Sequence, residues 1–397
     1  MSTLLGQADE AIEKKNYAAA VEPLESYLAR RPEDSSAHFQ LGYVFSALER
    51  WDEAKSEYRR AIALNPRLAA AHLNLGLVLL DRDPPTAIEP FRQAAELLPN
   101  QSRPRFLLAL ALERSNKTAD AIQEYQAAEQ LDPKNYEILF ALGRALLGSG
   151  RARDAEPRFR RALAERPESA PARLGLAESL RSEQNLEGAA QEFTGYLRQQ
   201  PQDREARVEH ATLLADLDRW EEALAELDRS DAGGPPSLAS AKLRAEIYFR
   251  QKQWPEAARA LEKALQIAPQ DAELHARLGR VWLEKRNFPS AERELRQAFE
   301  LDPRSTDPLR DLVDVYYLSE NCPAALEVLG LLAKRETPGG GSWFVRAICC
   351  DKLQRKAEAV AAYQKFLELD QGRNENQEFQ ARQRIRILSQ ELQKKKR

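Results

Sequence analysis

A period of 34 residues runs through almost the whole chain, and it constrains the fold more than any other feature. The segments 51–54, 118–121, 220–223 and 254–257 align with one another and fix the register. Repeats one to eleven begin at residues 1, 35, 69, 102, 136, 170, 204, 238, 272, 306 and 340. Only the third repeat departs from the period, being one residue short near Pro84 and Pro85.

Small residues recur at two fixed positions of the repeat. The twentieth position is alanine in all eleven repeats, and the eighth is Gly or Ala in ten of them, with Val313 as the exception. Most repeats end in a proline, which cannot continue a helix. Between these positions the apolar residues recur at helical spacing. Each repeat is therefore predicted to form two closely packed antiparallel helices.

This spacing of small, aromatic and proline positions resembles the tetratricopeptide repeat (TPR) family over essentially the whole chain. The resemblance implies an all-α fold, a right-handed α-solenoid (superhelix) of about eleven helix-turn-helix repeats over residues 1–373, with a concave groove. The block from Trp343 to Ile385 further resembles the ends of large bacterial proteins with many TPR units and no assigned activity.

Departures from the repeat predict boundaries. Glycine-rich joints at 231–236 and 337–341 indicate hinges or subdomain seams, or simply longer loops. A capping helix is predicted over 374–393, with Phe379, Ile385, Leu388 and Leu392 facing the last repeat. The basic tail at 394–397 could touch nucleic acid or a membrane, or be a solvated end.

Composition excludes several classes of protein. No apolar run reaches the roughly 18 residues of a membrane-spanning helix, so no membrane span is expected. The first ten residues do not read as a signal peptide, which predicts a cytoplasmic protein, or an exported or periplasmic one if a signal has been removed. The odd number of cysteines, Cys322, Cys349 and Cys350, favours buried thiols over a disulfide framework, with a bridge from Cys322 as the alternative.

No motif predicts catalysis, a metal or a cofactor. His38, His72 and His275 all lie at the fourth position of a repeat and His210 at the seventh, so the repeat itself accounts for them as structural residues. No cluster has the spacing of zinc ligands. The glycines at 339–341 lack the lysine of a phosphate-binding loop. We therefore expect a protein that is not an enzyme and has no catalytic residues, metal site or cofactor.

In the family, the second, fifth, ninth, twelfth and thirteenth positions of the first helix tend to line the groove. Carrying over the fifth and ninth predicts an apolar trough in repeats two to five and a charged groove in repeats eight to ten. The alternative is that these side chains pack between adjacent first helices and expose little. Asn74, at the sixth position, matches the asparagine that other members use against peptide backbones. The predicted partner-binding residues are Phe39, Tyr43, Leu73, Asn74, Leu77, Phe106, Leu110, Phe140, Arg144, Lys242, Glu246, Arg280 and Arg310.

The predicted function is a non-catalytic protein–protein interaction scaffold or adaptor that binds a peptide or partner protein in the groove. A recruiting or regulatory subunit of an enzyme system is the alternative, since it needs only the same groove. Nucleic-acid binding is not expected. The chain has net charge −3 and residues 373–397 carry eight basic and three acidic side chains, net +5, so the remainder is −8. The oligomeric state is left open.

Overall fold

The computed structural model describes residues 2–396, with side chains described over 3–394, and all regular structure in that part is helical. The helices are α1 Ser2–Glu13, α2 Tyr17–Leu28, α3 Ser35–Ala47, α4 Trp51–Leu64, α5 Ala69–Leu80, α6 Pro84–Leu97, α7 Ser102–Arg114, α8 Thr118–Leu131, α9 Tyr136–Gly148, α10 Ala152–Glu165, α11 Ala170–Ser182, α12 Leu186–Gln199, α13 Arg204–Asp216, α14 Trp220–Asp231, α15 Leu238–Arg250, α16 Trp254–Ile267, α17 Ala272–Glu284, α18 Phe288–Leu301, α19 Asp307–Leu318, α20 Cys322–Ala333, α21 Gly340–Lys352, α22 Lys356–Asp370 and α23 Glu375–Lys396.

Each repeat forms one pair of helices, and within each of the two units described next, successive pairs stack as in an α-solenoid. The chain divides into two compact parts, an N-terminal unit, Met1–Pro201, and a C-terminal unit, Gln202–Arg397. The boundary falls between repeats six and seven. The predicted all-α repeat fold is therefore confirmed. No helix within residues 2–396 has the length and apolar content that a membrane crossing requires.

The small residues bring the two helices of a repeat into close contact, as predicted. The alanine at the twentieth position is completely buried in all eleven repeats. At the eighth position, a Cβ on Gly76 would lie 2.5 Å from the ring of Phe91, and one on Gly279 would lie 2.6 Å from Leu295. Any larger side chain at these glycines must push the neighbouring helix away.

The turn inside each repeat uses a left-handed residue. The fifteenth position has positive φ in every repeat except the third: Lys15, Glu49, Asn116, Gly150, Asp218, Lys252, Arg286, Glu320, Gln354 and Gln184. In the third repeat α5 ends at Leu80, and Asp83, with φ −148°, leads directly into α6 at Pro84. The missing residue of that repeat is thus the left-handed one.

Basic side chains at the fourth position tie neighbouring segments together. His38 Nδ1 lies 2.5 Å from Glu57 Oε2, and its Nε2 lies 3.1 Å from the carbonyl oxygen of Pro32, which ends the preceding repeat. The same pair of bonds is made by His275 with Glu294 and Pro269, and by Arg173 with Glu192 and Pro167. These contacts give the fourth-position histidines a structural role.

Arg204 holds the first glycine-rich joint. It donates to the carbonyl oxygens of Ser230 at 2.8 Å, Gly234 at 3.3 Å and Pro235 at 2.6 Å. Directly before the second joint, Glu336 accepts from Thr306 at 3.1 Å and pairs with Arg310. That these joints act as hinges or seams stays a prediction.

Helix α23 packs on the last repeat. Ala381 and Leu388 are buried in one cluster with Phe344 and Phe366. Arg384 donates to both carboxylate oxygens of Asp351, at 2.6 and 2.7 Å.

The expectation that Phe379 faces the last repeat is wrong. Its side chain is 65% exposed, because Glu378 takes the inward position and accepts from Gly372 N at 2.6 Å. In the predicted basic tail, Arg397 lies outside the described residues, as do the side chains of Lys395 and Lys396.

The three cysteines are free and buried, as predicted. The thiols of Cys349 and Cys322 hydrogen-bond each other in one core cluster. Burial, together with Cys322, raises the pKa of the Cys349 thiol to about 12. Since the thiolate is the reactive form, this thiol is suited to packing rather than to chemistry.

Candidate functional site

The N-terminal unit contains a pocket of about 590 Å³ between the first helices of repeats two and three, α3 and α5, and the second helix α4. It brings together three of the predicted partner-binding residues, Tyr43, Asn74 and Leu77. The rest of the lining was missed by the sequence prediction: Ser46, Trp51, Tyr58, Val78, Asp81 and Arg82.

The inner wall of this pocket is a buried phenol. Tyr58 is 1% exposed, and its hydroxyl lies 3.1 Å from Ser46 Oγ. The side chain of Asn74 also hydrogen-bonds this hydroxyl. Burial raises the pKa of Tyr58, so the neutral phenol persists well above neutral pH. The pocket therefore has one polar spot inside largely apolar walls.

The rim of the pocket combines exposed apolar groups with charges that are already paired. Tyr43 is 40% and Leu77 is 37% exposed, and the ring of Tyr43 meets that of Tyr17 edge-on at 6.0 Å. The guanidinium of Arg82 lies 4.7 Å from the centre of the Trp51 ring. Asp81 at the rim pairs with Arg114. A ligand would thus meet mainly apolar side chains and one amide.

The aromatic residues at the fifth position pack inside the repeats rather than projecting freely. Phe39 lies 5.9 Å from the Tyr58 ring, Phe106 lies 5.8 Å from Tyr125, and Phe140 lies 6.1 Å from Phe159. All three, like Leu73 and Leu110, are half-buried. These rings therefore contact the second helix of their own repeat, and the alternative of packing between adjacent first helices stays a prediction. Tyr43 and Leu77 at the ninth position are more exposed.

Arg144, the one charged residue predicted in the apolar zone, is paired within the N-terminal unit. Its guanidinium lies 2.9 Å from the Glu113 carboxylate. The same carboxylate accepts a hydrogen bond from the Tyr125 hydroxyl at 2.8 Å. The position of Arg144 is therefore fixed by protein contacts.

In the C-terminal unit, ion pairs connect successive first helices. Glu246 at the ninth position of repeat eight lies 2.9 Å from Arg277 at the sixth position of repeat nine. One step further, Arg280 at the ninth position lies 2.9 Å from Asp311 at the sixth. We call this series of contacts between the ninth position of one repeat and the sixth of the next the ion-pair ladder.

The other predicted charged residues of this unit are also paired. Lys242 lies 2.7 Å from Asp271, and Arg310 lies 2.9 Å from Asp307 and also pairs with Glu336. The hollows along this surface are smaller than the pocket of the N-terminal unit, at about 280 Å³ next to Ala276 and about 80 Å³ next to Phe249. Much of the charge predicted to face a ligand is thus satisfied by the protein itself.

A fuller reading of the repeat positions could have found several of the missed residues. Ser46 is at the twelfth position and Asp81 at the thirteenth, both of which the family resemblance assigns to the groove. Arg277 and Asp311 are at the sixth position, where only Asn74 was considered. The fifth and ninth positions alone therefore give an incomplete site.

Models of one protein family match much of the chain. A family model described as tetratricopeptide repeat matches residues 5–54, 140–204, 208–272 and 310–374, more than half of the chain. A second model of the same description matches 248–298, and one described as TPR repeat matches 42–81 and 114–150. A search of curated proteins gives no match.

Several solved structures resemble part of the chain. YrrB, described as a TPR protein with an unusual peptide-binding site, is 20% identical, covering 46% of this chain and 95% of its own, with a TM-score of 0.43. MamA from Desulfovibrio magneticus RS-1 is 18% identical over 42% of this chain and 96% of its own, with a TM-score of 0.40. PilF from Pseudomonas aeruginosa is 23% identical over 51% and 92%, with a TM-score of 0.41.

Proposed function

This chain belongs to the tetratricopeptide repeat family, and on that premise we propose that it is a non-catalytic scaffold that binds a peptide or partner protein through the exposed surface of its first helices. Proteins of this family bind protein or peptide partners and are generally non-catalytic scaffolds. The observation that carries the proposal is the pocket at Tyr43, Asn74 and Leu77.

The pocket has the properties of a peptide-binding subsite. Its volume of about 590 Å³ lies in the usual range of ligand pockets. Tyr43 and Leu77 offer apolar contact to a side chain, and the Asn74 amide can both donate to and accept from a peptide backbone. Because the walls are already packed by Phe39 and Tyr58, binding needs little rearrangement.

The electrostatics of the chain support a protein ligand rather than nucleic acid. Nucleic-acid binding requires a basic stripe that neutralises phosphates. Outside residues 373–397, which carry net +5, the chain totals −8. In the C-terminal unit, Arg277, Arg280 and Arg310 are already paired with carboxylates.

The proposal is tested with two leucines of nearly equal exposure. Leu77, 37% exposed, lines the pocket, whereas Leu131, 38% exposed, ends helix α8 and does not line it. We expect Leu77→Asp to lose, and Leu131→Asp to retain, the stoichiometric partner that wild type captures from its source organism. Equal circular dichroism spectra and melting temperatures serve as the control. Equal partner recovery by both folded variants would contradict the pocket proposal.

A further inference from the structure

The ion-pair ladder stops at helix α19. Its two preceding steps are closed by Glu246 with Arg277 and by Arg280 with Asp311. At the next step the ninth position is Asp314 and the sixth position of repeat eleven is Val345. Within residues 2–396, Asp314 forms neither a hydrogen bond nor an ion pair. One carboxylate of this surface is thus left without the cation that its equivalents have.

The basic residues of the same and the neighbouring first helices that could reach this surface have carboxylate partners of their own. Arg280 pairs with Asp311, Arg310 pairs with Glu336, and Lys352 lies 3.1 Å from Glu320. Among the described residues, Asp314 is thus without an ion-pair partner on a helix that also carries Asp307 and Asp311.

Acidic residues line one face of helix α19. Asp307, Asp311 and Asp314 are spaced by four and three residues, which places them on the same helix face. Burial raises the pKa of Asp314, and the neighbouring Asp311 carboxylate raises it further. Burial also raises the pKa of Asp311, despite its contact with Arg280. Asp307 and Asp311 are paired with Arg310 and Arg280, so the excess negative charge of this face at neutral pH comes from Asp314.

Apolar residues occupy repeat positions next to Asp314, on its own helix and on the first helix of the following repeat. Leu318 follows Asp314 by one helical turn and is 47% exposed. Val345 and Ile348 on α21 are half-buried. The surface consequently combines one unpaired carboxylate, Asp314, with an accessible apolar side chain, Leu318. A ligand that complements it carries a cationic side chain next to an apolar one.

We propose that the surface formed by Asp314, Leu318, Val345 and Ile348 binds a segment of a partner protein that carries a lysine or arginine next to an apolar residue. The cation takes the place opposite Asp314 that Arg277 takes opposite Glu246, and so completes the ion-pair ladder. The apolar side chain rests on Leu318 and Ile348. This assignment rests on the proposed function, since it names the ligand chemistry of one part of the same type of surface.

The probe is an array of synthetic 15-residue peptides, each with one lysine or arginine and one leucine at varied spacing. Matched arrays carry glutamine or glutamate in place of the cation. Labelled full-length protein is expected to bind the best cationic peptides about tenfold more tightly than their glutamine counterparts, as befits one hydrogen-bonded charge pair. Retention that is independent of the cation would overturn the assignment.

Three variants locate the binding site. Asp314→Asn removes the charge and is expected to weaken the best peptide about tenfold. Val345→Lys supplies the missing cation from within the protein and is expected to cause a similar loss. The matched control is Leu243→Lys, which places the same lysine at the sixth position of repeat eight, where the preceding ninth position is the uncharged Thr212. It should leave binding unchanged.

A second readout does not depend on any peptide. The Asp314 carboxyl is followed by carbon-13 NMR as pH is varied. We expect it to titrate above the usual value of about 3.9 in wild type and closer to that value in Val345→Lys. If Asp314 titrates at the same pH in Val345→Lys as in wild type, position 345 does not face Asp314, and the assignment fails.

The remaining outcomes separate this assignment from the proposed function. If Leu77→Asp abolishes peptide binding and Asp314→Asn does not affect it, the assignment fails and the proposed function stands. If no peptide of the array binds, the assignment fails, and the proposed function is decided by the partner-capture test of Leu77→Asp. If wild type self-associates and Asp314→Asn dissociates it, the occupant is a second copy and the assignment to a partner protein is wrong.

Discussion

The two units build the same helix pairs but finish their first-helix surfaces differently. In the N-terminal unit the ninth positions of repeats two and three are Tyr43 and Leu77, and the space between α3 and α5 stays open as a pocket of about 590 Å³. In the C-terminal unit the ninth positions of repeats eight and nine are Glu246 and Arg280, and each is bonded to the next helix. We therefore expect the residues at the ninth and sixth positions to influence whether the space between two successive first helices is open or bridged.

The ninth position of the repeat thus has two roles, contact with a ligand and contact with the next first helix. An apolar side chain at the ninth position has no strong partner on the next helix, so it stays available to a ligand. In repeats eight and nine a charged one reaches the sixth position of the next repeat and joins the two, with the small net stability typical of exposed ion pairs. Arg144 in the N-terminal unit instead pairs backward with Glu113 of the preceding repeat. Asp314 is the exception in the C-terminal unit, because its repeat is followed by Val345.

The largest predicted effect tests whether the two helices of a repeat pack equally closely in both units. A methyl group added at Gly76 would lie 2.5 Å from Phe91, and one at Gly279 would lie 2.6 Å from Leu295. We expect Gly76→Ala and Gly279→Ala each to destabilise their own unit by about 1–3 kcal/mol, measured by urea denaturation.

The matched control is Gly148→Ala. Gly148 is also helical, but a Cβ there would meet nothing within 4 Å. This substitution should stabilise the protein by up to about 1 kcal/mol, because alanine has less freedom to lose on folding. If Gly76→Ala and Gly279→Ala matched Gly148→Ala, close helix packing at the eighth position would not be what the two units share.

The period of 34 was sufficient to predict the helix pairs, the buried alanines and the side of each first helix that faces outward. It could not say how far a side chain on that side projects. Phe39 and Phe106 turn onto Tyr58 and Tyr125, and Arg280 reaches Asp311, because of distances between neighbouring helices that periodicity does not encode. Phe379 was misplaced for a related reason, since outside the repeat its helix has no fixed register.

The next effect concerns a helix cap that both units use. Asp34 accepts hydrogen bonds from Ser36 N and Ala37 N, at 3.0 and 3.1 Å, and Asp271 does the same for Glu273 N and Leu274 N. Burial raises the pKa of each carboxyl, but the cap hydrogen bonds, together with Tyr27 at Asp34 and Lys242 at Asp271, outweigh burial and hold the pKa below its ordinary value. We expect Asp34→Ala and Asp271→Ala each to cost about 1 kcal/mol at pH 7.

The pH dependence of the cap variants follows from the lowered pKa. A carboxylate with a lowered folded pKa contributes stability above its unfolded pKa of about 3.9, and this contribution is lost as pH falls through the folded value. The difference between wild type and each cap variant should therefore shrink as pH falls below about 4. A difference that persists at lower pH would mean that something other than the ionised cap is responsible.

Asp314 should respond to pH in the opposite sense to Asp34. Its folded pKa is raised by burial and by Asp311, so its ionisation opposes folding at neutral pH. The carboxyl is partly desolvated by its neighbours, but the residue keeps more than a third of its surface in solvent, which screens the charge. We therefore expect Asp314→Asn to stabilise the C-terminal unit by less than about 1 kcal/mol at pH 7. The gain should shrink as pH falls through the raised folded pKa and disappear below the unfolded pKa of about 3.9, where the carboxyl is protonated in both states. Urea midpoints at both pH values test this, and a loss of stability at pH 7 would reveal a cation partner for Asp314.

The smallest predicted effect is also the most direct test of the comparison, since it transfers one contact between the units. Replacing Tyr43 by Glu and Asn74 by Arg puts the Glu246–Arg277 pair at the equivalent step of the N-terminal unit. A double-mutant cycle should give a favourable coupling of about 0.2–1 kcal/mol that weakens with added salt. Both single variants lose the apolar contact or the amide of the pocket, so only the coupling term isolates the new ion pair. A coupling of zero would mean that the step between α3 and α5 is wider than that between α15 and α17, and that the geometry of the repeats, rather than the residues at the ninth and sixth positions, keeps the pocket open.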